Sequence, residues 1–411
     1  MKTFRLLIVF IFIAVSLSAQ DKCETTAYRQ QLLTDASLAP AIIRAEIPPK
    51  QVIREIPSTA NGSRQPELPI IRIPVVVHII YNSESQNISA AQIKAQLDIL
   101  NKDFRNKNEQ KPWVPEAFAR LAADSHIEFQ LATIDPSGNP STGIIRRRTS
   151  IQVFTYDDRI KFSSIGGSDA WDAGSYLNIW VGSLAGGLTG YSSPLGGPAD
   201  RDGIVISYKA FGKTGIGQTG HGRTATHEVG HWLGLKHIWG DSYCGDDAID
   251  DTPPQQSATR GCPGGLVTSC NNSGNMYMNF MDFTNDECTS MFTYGQATRM
   301  RSAFEPGSFR HALLTSNGLS GPVVEETEEQ EEITLPVKFF PNPVSGMVTV
   351  QLETQDNLIG QPITVYNALG QQVHQALISK GQIQLDMTRF REGLYYVSLG
   401  NKRRLFKLVK R

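Results

Sequence analysis

Residues 227–237 read HEVGHWLGLKH, with three histidines at intervals of four and six and a glutamate beside the first. Four residues of an α-helix advance about 400°, so His227 and His231 lie one turn apart on one face and can share a metal ion. A continued helix would carry His237 roughly 9 Å further along its axis and off that face. Gly234 lacks a Cβ, so it can adopt a positive φ and turn the chain back. The spacing predicts a zinc site with three histidine ligands.

Glu228 stands beside the first histidine but projects about 100° around the helix, so it need not bind the metal. From there a carboxylate can act as general base, taking a proton from a zinc-activated water and passing it to the leaving amine. The alternative is a buried amphipathic helix whose histidines are incidental. The full HExxHxxGxxH spacing favours a zinc peptidase that acts on protein or peptide substrates.

The N-terminus predicts export. Residues 1–19, MKTFRLLIVFIFIAVSLSA, combine basic residues, a short apolar run and small residues, the pattern of a secretory signal peptide cleaved before Gln20. A membrane anchor is the alternative, but the run is short for a bilayer, so no stable membrane span is expected. The net charge of −1 over 411 residues gives no sign of a nucleic-acid partner.

If the chain is exported, its five cysteines can form disulfides. Cys23 stands alone, whereas Cys244, Cys262, Cys270 and Cys288 form a cluster. An even cluster in an oxidising compartment predicts two disulfides, and three pairings are open. A structural zinc site is the alternative, although the cluster contains no CxxC pair.

The periodicity of the chain predicts an α/β catalytic domain followed by a small β-sandwich. Strand patterns occupy 71–81, 127–134, 177–182 and 202–208, and Ser89 can cap a helix that runs to Phe104. The later part of this domain is rich in Gly, Asp, Asn and Cys, which predicts a loop-dominated, disulfide-stapled subdomain. The predicted organisation is a signal peptide (1–19), a propeptide without periodicity (20–63), the catalytic domain (64–315), an acidic linker (316–335) and short alternating strands (336–411).

The stretch 222–237, GRTATHEVGHWLGLKH, and the downstream MNFMD resemble the pappalysin branch of the metzincin zinc peptidases. The resemblance covers about residues 72–310 and implies a metzincin-like fold. It also implies that Met281 is the methionine of the Met-turn beneath the zinc ligands. The disulfides that it implies are Cys244–Cys270 and Cys262–Cys288.

Phe283 departs from the pappalysin pattern. Two residues after the Met-turn methionine the family has a tyrosine, thought to assist the transition state, and a phenyl ring cannot donate a hydrogen bond. Reduced turnover is therefore expected. A weakly active or inactive binding or adhesion protein on a protease scaffold is the alternative function.

The segment CGDDAIDDTP (244–253) packs four carboxylates into six residues. Oxygen ligands at irregular spacing in a loop suit calcium. The resemblance places Asp247 and Thr252 at calcium-binding positions, and Asp250 is a further candidate ligand. A solvated acidic loop is the alternative.

Asp286 matches an acidic residue of the family beside the pocket for the residue that follows the scissile bond. A carboxylate there predicts cleavage before Arg and, less readily, before Lys. The bond Ser63–Arg64 would then be a site of autocatalytic maturation. A surface aspartate is the alternative.

Cys23 lies in the predicted propeptide, where a thiolate could occupy the fourth zinc position and keep a zymogen latent. Some pappalysin zymogens are thought to use such a switch. Asp21 is a second candidate ligand for this role. An unpaired or intermolecularly bonded cysteine is the alternative.

The C-terminal segments FPNP (340–343), VYNALGQ (365–371), GLYYVSL (393–399) and KRRLFKLVKR (402–411) resemble the type A sorting domain of the type nine (Por) secretion system. The resemblance implies a secreted protein whose partner is outer-membrane secretion machinery, with attachment to the cell surface as a further possibility. A carbohydrate-binding or adhesion sandwich is the alternative.

Overall fold

A computed structural model describes residues 23–46, 68–110, 114–214, 219–324, 337–352, 361–379, 381–399 and 405–411. The predicted signal peptide (1–19), Asp21 and the bond Ser63–Arg64 lie outside these residues. The chain forms two compact units that divide after residue 326, a position inside the predicted acidic linker. The remaining domain limits stay predictions.

The predicted propeptide contains two short helices that its sequence does not signal, α1 (Thr25–Leu33) and α2 (Ala39–Glu46). An isolated helix shorter than about 12 residues is marginal in water, so contacts with the rest of the unit must stabilise both. Those contacts come from a few buried side chains, including Tyr28, Leu32 and Ile42.

The first unit is built on the sheet that the β-branched run at 71–81 predicts. Its elements in chain order are β1 (Ile71–Tyr81), α3 (Ala90–Phe104), α4 (Glu116–Ala119), β2 (Ile127–Leu131), β3 (Ile144–Arg148), β4 (Leu177–Gly182), β5 (Gly190–Ser192), β6 (Ile204–Ser207), α5 (Arg223–Trp232) and α6 (Tyr294–Ser302). The predictions for β1, β2, β4, β6 and α3 are confirmed, and the hydroxyl of Ser89 caps α3 by accepting from Gln92 N at 3.2 Å. Neither β3 nor β5 was predicted.

The strand order is β2-β1-β4-β6-β5, with β3 also paired to β1. The pairs are parallel except for β5, which is antiparallel to β6 and forms an edge. Alternate strand residues face opposite sides, as the two-residue period requires. Ile179 and Val181 face the cluster that contains residues of α3 and α5, while Trp180 faces Tyr28 of α1 and Ile42 of α2.

Between α5 and α6 the chain has neither an α-helix nor a β-strand, in agreement with the predicted loop-dominated subdomain. Two disulfides hold it, Cys244–Cys270 and Cys262–Cys288. This is the pairing that the resemblance implied. The chain thus has the mixed α/β fold with two disulfides that was expected.

Residues 316–321, at the beginning of the predicted linker, are bonded to the first unit. Gly318 O accepts from Thr133 N at 2.8 Å, and Gly321 N donates to Thr133 Oγ1 at 3.0 Å. A Cβ on Gly318 would lie 2.8 Å from Pro74 Cβ, so the glycine permits this close approach. Glycine and serine here serve packing, although their composition is also typical of linkers.

The second unit consists of two antiparallel sheets, as the alternating segments predict. Its strands are β7 (Val337–Phe340), β8 (Met347–Leu352), β9 (Pro362–Asn367), β10 (Gln372–Leu377), β11 (Gln382–Asp386), β12 (Gly393–Leu399) and β13 (Leu405–Lys410). The sheet orders are β10-β9-β12-β13 and β11-β8-β7. Val348, Val350, Val365 and Val397 belong to one buried apolar cluster.

Candidate metal centre and active-site cleft

Helix α5 carries the first two histidines and is buried along its whole length. It ends at Trp232, and Gly234 follows with φ 90°, as predicted. Gly234 N donates to His231 O at 2.8 Å, and Leu235 N donates to Gly230 O at 3.0 Å, which closes the turn. A Cβ at Gly234 would lie 2.7 Å from Leu195 Cδ1. Backbone conformation and packing space both require glycine here.

The turn brings the third histidine to the first two. The Nε2 atom of His231 lies 3.0 Å from that of His227 and 3.1 Å from that of His237, and the remaining pair is 3.2 Å apart. Burial, followed by the neighbouring imidazoles, lowers the pKa of His231 well below its ordinary value. The imidazole is therefore neutral, which is the form that binds a metal.

A hydrogen bond at the Nδ1 atom orients each of the three histidines. His227 Nδ1 lies 2.7 Å from Phe280 O, and His231 Nδ1 lies 2.9 Å from Leu235 O. His237 Nδ1 is bonded to Asp241 Oδ1 at 2.5 Å. If these nitrogens are the donors, all three Nε2 lone pairs point at one another. Such partners fix the tautomer of metal ligands and raise their basicity.

Glu228 is buried next to this cluster. Its Oε2 accepts from the hydroxyl of Thr25, in α1, at 2.8 Å, and the same hydroxyl accepts from Ser192 N at 2.8 Å. Its Oε1 has no hydrogen-bond partner among the described atoms. Burial raises the pKa of Glu228 to about 8, against hydrogen bonds that lower it. Helix α1 thus engages one oxygen of the carboxylate.

Met281 lies against the turn of α5 between the two helix histidines. A Cβ added to Gly230 would come within 2.5 Å of Met281 Sδ, so the methionine occupies the space that this glycine leaves. Met281 is completely buried, and its amide is fixed by Asn279 Oδ1 at 2.9 Å.

Phe283 packs directly on the histidine cluster. Its ring centroid lies 4.8 Å from that of His237, 5.7 Å from that of His227 and 4.8 Å from that of Trp239. The guanidinium of Arg260 lies 5.6 Å from the ring centroid. Phe283 therefore supports the cluster sterically but offers no hydroxyl to the cleft.

A cleft opens beside Glu228 and His227, and Asp286 lines it. Asp286 Oδ2 accepts from the backbone amides of His221 at 3.1 Å and Arg223 at 3.0 Å, at the start of α5. The carboxylate thus sits at the positive end of the helix that carries the histidines. The cleft is lined by Cys23, Thr189, Thr219, Arg223, Thr224, His227, Glu228, Phe280, Asp282, Phe283, Thr284, Asp286 and Thr289.

Comparison with known proteins identifies the family to which the chain belongs. Residues 162–305 match the M43 peptidase family, described as pregnancy-associated plasma protein-A. Extracellular metalloprotease 1 of Coccidioides posadasii is 31% identical over 244 residues, which cover 56% of this chain and 76% of the relative. Mature mirolysin of Tannerella forsythia, solved with a cleaved peptide, is 46% identical with a TM-score of 0.60, covering 62% of this chain and all of the solved chain. The chain belongs to the M43 family of metalloproteases.

A second solved structure is similar over a longer part of this M43 protease. A promirolysin mutant of Tannerella forsythia is 41% identical with a TM-score of 0.64, and it covers 74% of this chain and all of the solved chain. Residues 338–411 match a secretion system C-terminal sorting domain. The protease is therefore secreted, as its sequence predicts. None of the described helices is long and apolar enough to cross a membrane.

Cys23 is the free cysteine, and it is buried beside the histidine cluster. Its Sγ and one nitrogen of each of His227, His231 and His237 all lie within 4.8 Å of one another. The backbone at Cys23 pairs with Gly190 of the edge strand β5 in a parallel bridge. The structure thus brings the predicted thiol to the predicted histidines.

The acidic loop brings together two of its three calcium candidates. Thr252 Oγ1 donates to Asp247 Oδ1 at 2.7 Å, and Asp247 Oδ2 is buried with no hydrogen-bond partner among the described atoms. Burial raises the pKa of Asp247 to about 7. Asp250 is exposed, whereas Asp251 turns inward to accept from Thr293 Oγ1 at 2.6 Å.

Two residues of the site carry no signal in the sequence. Thr25 lies about 200 residues from Glu228 along the chain, and a lone threonine in a polar segment matches no motif. Asp241 follows His237 by four residues, and this spacing indicates a contact only once the turn between them is known. His78, by contrast, is a buried strand histidine bonded to Ser168 and Asn178.

Proposed function

We propose that this M43 protease is a zinc metalloendopeptidase of the pappalysin type, made as a zymogen, with Glu228 as its general base. The observation that carries the proposal is the convergence of three Nε2 atoms within 3.0 to 3.2 Å of one another. Imidazole lone pairs that are directed at one another at that distance repel unless a cation lies between them. The mirolysin relative solved with a cleaved peptide supports a peptide as substrate.

The donor set fits zinc. Three imidazole nitrogens are a common ligand set for catalytic zinc, with bonds of about 2.0–2.1 Å, and they leave one position open. His227, His231 and His237 would hold the ion, and the partners of their Nδ1 atoms would keep them in the binding tautomer. When bound, zinc supplies Lewis acidity, which polarises the scissile carbonyl and makes water a better nucleophile.

Glu228 moves the proton. Its carboxylate takes a proton from the attacking water and delivers it to the amine that leaves, which a group beside the histidines can do without binding the metal. This requires that Thr25 release its Oε2 atom. Departure of the segment that carries Thr25 would expose the carboxylate more to solvent, which favours its ionised form.

Two contacts would keep the zymogen inactive. The thiolate of Cys23 would serve as a fourth zinc ligand, and Thr25 engages the proposed general base. The promirolysin relative extends over more of this chain than mature mirolysin, 74% against 62%. That difference supports a pro-segment before the catalytic domain. We propose that the enzyme itself removes this segment at Ser63–Arg64.

Asp286 sets the preference for Arg or Lys after the scissile bond. Its carboxylate lines the cleft next to Glu228, and it is buried there. A guanidinium is the best partner for a carboxylate in a confined pocket, because it can donate two parallel hydrogen bonds.

Calcium would stabilise the acidic loop. A buried carboxylate oxygen without a partner is costly, and a hard cation with further backbone and water oxygens would satisfy it. Asp247 and Thr252 are the proposed side-chain ligands, with Asp250 reached only if the exposed loop rearranges.

The C-terminal unit would be read by the outer-membrane machinery of the type nine system, which takes the enzyme across the periplasm and outer membrane. The sorting-domain match over residues 338–411 supports this export route.

Phe283 supports a second candidate, a binding or adhesion protein that has lost turnover, because its ring offers no hydrogen bond to the cleft. Hydrolysis of casein and of a fluorogenic peptide by the processed protein separates the two. The proposal expects turnover that a chelator removes and zinc restores. Absent or chelator-insensitive turnover in zinc-loaded protein would favour the binder.

A further inference from the structure

Tyr28 of α1 fills a slot on the face of the sheet opposite α5. Its hydroxyl donates to Asp158 Oδ2 at 2.7 Å, and its ring centroid lies 5.0 Å from that of Tyr191. The ammonium of Lys161 lies 4.7 Å from the same ring centroid, close enough for a cation–π contact. Tyr28 is completely buried. We call the residues Asp158, Lys161, Trp180 and Tyr191 the Tyr28 slot.

The slot holds itself together without Tyr28. Lys161 Nζ lies 3.0 Å from Asp158 Oδ1, and it donates to Arg201 O at 2.9 Å and Ser193 Oγ at 3.1 Å. The same ammonium lies 5.4 Å from the ring of Trp180 and 5.0 Å from the ring of Tyr191. All of these groups belong to the catalytic domain, so cleavage at Ser63–Arg64 leaves an acceptor, a cation and two aromatic walls in place.

The other contacts of the propeptide helices also survive cleavage. Leu32 and Ile42 are buried in the apolar cluster that contains the slot. An ion pair between Arg29 and Glu46 joins α1 to α2, so the two helices form one unit. Arg299 Nη2 donates to Ala45 O at 2.8 Å. None of these contacts depends on the bond between residues 63 and 64.

We propose that the Tyr28 slot is a tyrosine-binding site that remains functional after maturation, and that the free pro-segment binds it and inhibits the enzyme in trans. The ligand is a helical peptide that presents a phenol to Asp158 and Lys161. Binding there places Thr25, three residues earlier, on Glu228. This inference rests on the proposed function in one respect, the removal of the segment before Arg64. Activation would then require dissociation or destruction of the segment as well as its cleavage.

The test uses synthetic peptides of residues 23–46 titrated calorimetrically into processed enzyme that has been freed of its own segment. Every peptide carries Cys23→Ser, so thiol ligation of zinc contributes nothing. Tyr28→Phe should weaken binding by about tenfold, because it removes a hydrogen bond to a charged group. Tyr28→Ala should weaken it further, and Gln30→Ala, on the exposed side of α1, should have no effect. The same order should appear in the inhibition of peptide hydrolysis.

Asp158→Asn in the enzyme supplies the matching half of a double-mutant cycle, and it should shrink the difference in affinity between the parent peptide and the Tyr28→Phe peptide to within about twofold. If that variant does not fold, the peptide series alone decides. Equal binding of the parent and Tyr28→Phe peptides would overturn the proposal, as would equal binding of a scrambled peptide that keeps the tyrosine. Calorimetry needs no turnover, so a failure of the zinc mechanism would show separately, as binding without hydrolysis.

Discussion

Thr25→Val should weaken the latency of the zymogen. Valine keeps the shape of threonine but loses the hydroxyl that bridges Ser192 N and Glu228 Oε2, each at 2.8 Å. Two hydrogen bonds at about 1 kcal/mol each give about 2 kcal/mol, which corresponds to a roughly 30-fold rise in the undocked fraction. The pro-segment would therefore expose the general base more often before it is cleaved.

The assay follows hydrolysis of a quenched fluorescent peptide and the appearance of processed chain from purified zymogen. Thr25→Ser is the matched control, because it keeps the hydroxyl. Both variants are also made with Cys23→Ala, which should itself activate faster and which reveals the contribution of Thr25 without the thiol. If Thr25→Val processes no faster than Thr25→Ser in either background, the hydroxyl does not restrain Glu228 and the reasoning fails.

Three further predictions concern separate parts of the first unit. Asp286→Ala should erase any enrichment of Arg and Lys after the bonds cut in a digested proteome; unchanged enrichment would exclude Asp286 from that pocket. Calcium should raise the melting temperature more at pH 8 than at pH 5, since the folded pKa of Asp247, about 7, lies above its unfolded value of 3.8. Without calcium, protonation of Asp247 stabilises the folded state at low pH, and this stability is lost as pH rises toward 7. Asp247→Asn should remove the calcium effect, and an equal effect in that variant would refute the site. Asp241→Asn should weaken zinc affinity by about 10- to 100-fold in a chelator competition, because it alters the partner of His237 Nδ1; wild-type affinity would contradict that role.

The sequence predicted those parts of the fold that local patterns encode. The β-branched run at 71–81, the capped helix from Ser89 and the glycine at 234 each satisfy a requirement of their own backbone. His227, Glu228 and His231 lie on α5, and the chain turns at Gly234 before it reaches His237, as their spacing implies. The short strand β5 escaped prediction because three residues give no periodicity, and the edge of the sheet is settled only by pairing with β6.

The contacts of α1 and of Cys23 could not be predicted, because they join distant parts of the chain. Thr25, Tyr28 and Cys23 lie in a polar segment whose helices form only against the rest of the unit. Cys23 was identified by its oddness as a free thiol, whereas nothing marks the threonine or the tyrosine. Likewise, nothing in the local sequence indicates that the fold buries Lys161 and Asp158 together.

The most direct test of the central claim measures zinc content and peptidase rate on one sample of processed Glu228→Gln protein. Glutamine keeps the size of the side chain and leaves the three histidines untouched, so zinc content should equal that of the wild type. The rate of peptide hydrolysis should fall by roughly 10²- to 10⁴-fold, the range expected for loss of a general base. A zinc-loaded variant that hydrolyses peptides at near the wild-type rate would contradict the account.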